Sequence, residues 1–102
     1  MRIYVSGPMS NMPKHNIPAF NRAAKALRRI GYDVVNPAEL DAEEQCVTWE
    51  QCLRRDLRFL VLCDAIATLP GWKKSKGAQL EVHVGKELSF MIMPLDKWLR
   101  SV

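Results

Sequence analysis

Short strand-like runs alternate with amphipathic helical stretches along the whole chain. Few architectures accept that rhythm, because parallel strands need a crossover long enough to hold a helix. The first run, Arg2–Ser6 (RIYVS), ends at Gly7-Pro8, a turn signal. Met9–Asn16 is polar, carries Pro13 and reads as a loop. Ile17–Ile30 predicts a helix: Asn16 can cap it, Pro18 suits its first turn, and Phe20, Ala23, Ala24, Leu27 and Ile30 recur at helical spacing. Gly31 stops it. Asp33–Asn36 (DVVN) is a second strand closed by Pro37, and the acidic residues 38–47 read as an excursion with at most a short helical turn.

The second half repeats the pattern. Thr48 opens a helix whose stripe is Trp49, Cys52, Leu53, Leu57 and Leu60. Cys63-Asp64 ends it, and Ala65–Leu69 (AIATL) reads as a buried strand. Pro70–Lys76 (PGWKKSK) is a loop, Gly77 to about Leu88 a helix, Ser89–Met93 a fourth strand, and Leu95–Val102 a terminal helix. The expectation is one α/β domain over residues 1–102, a flavodoxin-like or Rossmann-like three-layer sandwich. Its parallel sheet has four to five strands, in the order 2-1-3-4. Ligands of such sheets bind at the carboxyl ends of the strands. Here that rim is Ser6–Pro8, Asn36-Pro37, Leu69–Lys76 and Pro94.

Composition narrows the function classes. The chain has 102 residues and net charge +4, with 48% hydrophobic and 25% charged residues, an ordinary globular mixture. Charge interrupts every apolar run well before the ~20 residues of a membrane span. The start reads as strand rather than signal peptide. Three cysteines, Cys46, Cys52 and Cys63, lack CxxC or His spacing, which argues against a disulfide framework and a zinc site. They predict a reducing cytoplasm, with Cys52 and Cys63 in the core. The basic balance admits nucleic acid as a partner, but the charges are dispersed. Arg22–Arg29 and Arg54, Arg55 and Arg58 read as solvated helix faces. A nucleic-acid polymer is therefore the least favoured partner.

Two carboxylates stand in apolar positions. Asp56 lies inside the stripe of its helix, three residues after Leu53. Burying it ionised costs several kcal/mol unless it is paired. It is either a functional acid or an edge residue bonded to a loop amide or an arginine. Glu81 shares the inward face of Ala78, Val82, Gly85 and Leu88/Ser89, close to the rim. The helix dipole explains an acid in that turn but not its inward direction. Paired carboxylates of this kind serve bond cleavage at a sugar carbon. Lys73-Lys74-Ser75-Lys76-Gly77 runs into a helix start, where amides, a hydroxyl and cations suit a phosphate, although a Lys-rich surface loop is the common alternative. Trp72 on the rim either stacks on a base or plugs the core or a subunit contact.

These residues resemble the nucleoside 2-deoxyribosyltransferase-like superfamily. The resemblance rests on Tyr4-Val5-Ser6-Gly7-Pro8, Arg55-Asp56-Leu57, Cys63-Asp64-Ala65 and Gly77-Ala78-Gln79-Leu80-Glu81. Leu69–Trp72 before Ser75–Ala78 is similar to a small branch common in bacteriophages and bacteria. The resemblance implies that Glu81 is the nucleophile at C1′ of a 2′-deoxynucleoside and that Asp56 contacts the sugar and assists it. It implies that Tyr4 is an active-site aromatic and that Gly7 lies in the loop that approaches the substrate; Ser6, Pro8, Trp72, Ser75 and Gly77 on the same rim are the further candidate substrate contacts. The transferases carry an acidic base-recognition residue six positions before their glutamate; here that position is Ser75. The related 2′-deoxynucleoside 5′-monophosphate N-hydrolases have a phosphate-binding serine there. The departure favours a nucleotide over a bare nucleoside, and hydrolysis or simple nucleotide binding over base exchange. No cofactor or metal is implied. The resemblance also implies a homo-oligomer, with which exposed Trp and Met positions near the end of the chain agree. The rival reading is a non-catalytic module that binds or sequesters a nucleotide.

Overall fold

The computed structural model describes residues 1–100. Its elements are β1 (Arg2–Ser6), α1 (Ile17–Arg29), β2 (Asp33–Val35), α2 (Pro37–Glu43), α3 (Trp49–Leu60), β3 (Ala65–Thr68), α4 (Lys76–Glu87), β4 (Met91–Pro94) and α5 (Leu95–Arg100). Short 3-10 turns occupy Pro13–Asn16 and Trp72–Lys74. The four strands are parallel in the order β2-β1-β3-β4, as the alternation predicts.

Strand periodicity divides the core between the two faces of the sheet. Ile3, Val5, Val34, Ala65 and Ala67 point to one side, where α1 and Trp98 of α5 cover them. Tyr4 and Ile66 point to the other, against Leu60 and Cys63 at the end of α3 and Val84 of α4. Two glycines set how closely the layers approach. A Cβ on Gly85 would lie 2.6 Å from Ile66 Cδ1, so α4 packs directly on β3 there. A Cβ on Gly7 would lie 2.7 Å from Leu69 Cβ, where the chain leaves β1 beside β3.

Three local expectations change. The acidic excursion contains a true helix, α2, started by Asn36, whose side chain accepts from Ala38 N–H. Leu88 is exposed rather than inward, because α4 stops at Glu87 and Ser89 turns with φ 63°. Trp98 is buried, not exposed. It packs edge-on against Tyr32 and donates to the Ile66 carbonyl at 3.1 Å, so the apolar end of the chain closes the core. The terminal helix expected to Val102 is seen to Arg100; Ser101 and Val102 lie outside the described residues. Among the described residues no helix is long and apolar enough to cross a membrane.

Candidate active site

The strand order reverses between β1 and β3, and the chain opens there into a cleft of about 1060 Å³. β1 lies beneath its floor: Tyr4 and Ser6 are fully buried and do not themselves line the cleft, but act on Glu81, which does. Tyr4 and Ser6 are two residues apart, so both side chains point to the α4 side. Glu81, one turn into α4, meets them. Tyr4 Oη donates to Glu81 Oε2 at 2.5 Å, and Ser6 Oγ donates to Glu81 Oε1 at 2.7 Å. Both carboxyl oxygens are thereby held, and the side chain is only 6% exposed. Glu81 still lines the cleft. Burial pushes its carboxyl up to about 7, and the negative charge of Asp56 adds to that rise; the Tyr4 and Ser6 hydrogen bonds oppose it. Burial, followed by Glu81 and Asp56, drives the Tyr4 phenol well above its ordinary range, so Tyr4 stays a hydrogen-bond donor.

Asp56 approaches from α3, whose start is fixed by a capping box. Thr48 Oγ1 accepts from Gln51 N–H at 3.1 Å, and Gln51 Oε1 accepts from Thr48 N–H at 3.3 Å. Asp56 is buried and lines the same cleft. Burial pushes its carboxyl up to about 6; Arg55 opposes this rise and Asp41 adds to it. Asp56 is thus both a cleft acid and the partner of an arginine, two readings that its position in the stripe left open.

Gly7, Pro8, Ser75 and Gly77 line the cleft as well. Ser75 caps α4, its Oγ accepting from Ala78 N–H at 3.3 Å, and Lys74 and Lys76 flank it on the cleft wall. Trp72 does not join them. With Lys73 it lines a separate hollow of about 510 Å³ between the ends of β3 and β4.

Several cleft residues escaped the sequence reading. Trp49, assigned to the buried stripe, is 39% exposed on the cleft wall with Lys76 Nζ 4.7 Å from its ring centroid. His15 lies on the opposite loop, in a left-handed run from Lys14 to Asn16. Such a run of non-glycine residues is strained backbone, which concentrates at working sites. Arg55, read as solvated, is 4% exposed. Cys52 is half-buried and is joined to Cys46 by a disulfide, contrary to the expectation of free thiols. Cys46 and Cys52 are six residues apart and both line the cleft edge, a proximity that spacing alone does not reveal. Cys63 is free and buried, as expected.

The family model described as a domain of unknown function, DUF4406, matches residues 1–94. The chain belongs to the DUF4406 family. No match is found among the curated proteins. Among solved structures, the DUF4406 chain is similar to the 2-deoxyribosyltransferase of the psychrotolerant bacterium Bacillus psychrosaccharolyticus. The TM-score is 0.71 at 20% identity, over 92% of this chain and 71% of that one. The likeness places the DUF4406 chain in that α/β fold, with the same Rossmann-like layering.

Proposed function

We propose that the protein cleaves the N-glycosidic bond of a 2′-deoxyribonucleoside 5′-monophosphate or a closely related nucleotide. The observation that carries this reading is Glu81 clamped by Tyr4 and Ser6 at the foot of an open cleft beside Asp56. A carboxylate held at both oxygens loses little freedom on attack and is aimed by its donors. One Glu81 oxygen bonds to C1′ while the C1′–N bond breaks. The base leaves with that electron pair and takes a proton from solvent. Water then attacks C1′ and releases its proton, the sugar departs, and the Glu81 carboxylate is restored. Asp56 contacts the sugar and steadies the positive charge that develops on it. Ser75, with Lys74 and Lys76, takes the 5′-phosphate at the start of α4. In this reading a second copy of the chain completes the cleft.

The fold shared with a 2-deoxyribosyltransferase supports sugar–base chemistry, and Ser75 supports a phosphorylated substrate. The test is release of free base from the four deoxynucleoside monophosphates, followed by chromatography. Glu81→Ala is expected to lower the rate by about 10³-fold or more while nucleotide binding persists. Wild-type protein that binds nucleotide in calorimetry yet releases no base identifies a binding module instead. Its coverage of only 71% of the transferase's length is the observation that favours this alternative.

A further inference from the structure

Its spacing assigns Arg55 to a solvated helix face, yet it is almost wholly enclosed in the cleft wall. Its Nε and Nη2 both meet Asp56 Oδ1, at 3.0 and 2.9 Å. Its Nη1 points the other way, to Asp41 Oδ1 at 2.7 Å, the Glu44 carbonyl at 2.9 Å and Cys46 Sγ at 3.2 Å. One guanidinium therefore ties the cleft acid to α2 and to the segment that leads into α3. Enclosing an arginine costs more than an isolated ion pair returns, so an enclosed pair is weak evidence of a purely stabilising role. The planar fork also fixes direction in a way that an ammonium does not.

We propose that Arg55 is the positioning residue of this site, orienting and charging the Asp56 carboxylate from behind while Asp41 competes for the same guanidinium. The role assigned to Asp56 rests on the glycosidic-cleavage reading above; the arginine's hold on it does not. The groups facing Asp56 are Arg55 on its own helix, Asp41 from α2, Glu81 from α4 and the Tyr4 hydroxyl from β1. Arg55 is the only cation in that set. It favours the ionised form of Asp56, and the two carboxylates disfavour it. Asp41 is half-exposed on the cleft edge, so it can be neutralised without opening the core.

Two substitutions are expected to move Asp56 in opposite directions, which a merely structural role does not produce. The direct readout is the carboxyl carbon resonance of Asp56, titrated by NMR in the intact chain. Arg55→Met is expected to raise its midpoint by about 1 to 3 units. Arg55→Lys restores part of the charge but not the fork, and is expected to fall between Arg55→Met and wild type. Asp41→Asn is expected to lower the midpoint by about 0.5 unit or more. In base release, the acid limb of the kcat/KM profile is expected to move the same way in each variant. For Arg55→Lys, kcat is expected to fall with KM changed less than about threefold. Should Arg55→Met fail to fold, Asp41→Asn and Arg55→Lys still decide the matter. An Asp56 midpoint that stays put in both overturns the proposal, whether or not the wild type releases base. Shifted midpoints in a protein that releases none overturn the glycosidic reading and leave the role of Arg55 standing.

Discussion

At the scale of single residues, the chemistry depends on how Glu81 is charged. A nucleophilic carboxylate must be ionised, and burial pushes Glu81 up to about 7 and Asp56 up to about 6. The two groups influence each other, so their titrations belong to the pair rather than to either residue. The kcat/KM for base release is therefore expected to rise with pH between about 5 and 8, well above the range of ordinary carboxylates. A profile already flat from pH 5 upward would show that Glu81 ionises normally and that its burial has no catalytic consequence. Tyr4→Phe removes one hydrogen bond that favours the ionised form and is expected to move the same limb to higher pH. Glu81 and Asp56 were legible in the sequence because each is a charge at an apolar phase of a helix. Arg55 was not. It directly precedes Asp56, at a phase where arginine normally meets water, and it is enclosed only because the segment before α3 folds over it.

At the scale of elements, the site depends on how α3 and α4 begin. Both starts carry caps, and both present residues to the cleft in their first two turns. Thr48→Ala removes the side-chain half of the capping box and is expected to destabilise the protein by about 1 kcal/mol. The loss is measurable as a lower denaturation midpoint in urea with an unchanged slope. The same variant frees the segment that carries Val47 and Trp49, so nucleotide affinity is expected to weaken as well. An unchanged midpoint would mean that the tertiary contacts of α3 alone hold its first turn. Element order and type were legible because strand and helix periods alternate without ambiguity. Helix α2 was harder to read, since its seven residues are too few to show a clear period. The Cys46–Cys52 pair was hidden for a related reason. It joins the first turn of α3 to the irregular segment before it, and such segments have no periodic signal.

At the scale of the whole molecule, the two cleft acids place a load on stability, and its sign follows from linkage. Glu81 and Asp56 titrate higher in the folded chain than in the unfolded one, where they take the ordinary values 4.5 and 3.8. Between those values and about 7 and 6 the native state holds more protons, so stability falls as pH rises through that window. Above it, both charges sit largely out of water, with Arg55 the compensating cation paired with Asp56. Glu81→Gln keeps the size of the side chain and removes the ionisation, and the Tyr4 and Ser6 hydroxyls can turn to face an amide. The variant is expected to be more stable than wild type at pH 8, by up to about 3 kcal/mol. In a chain of this size the upper figure corresponds to a rise in Tm of roughly 14 °C. The gap is expected to narrow steadily as pH falls and to close only about one unit below the unfolded value of 4.5, where Glu81 is protonated in both states. Thermal denaturation of both proteins from about pH 3.5 to about pH 8.5 reads this directly. A gap that does not depend on pH would mean that the effect comes from packing. A gap that widens toward high pH would mark Glu81 as a residue retained for chemistry at the expense of the fold.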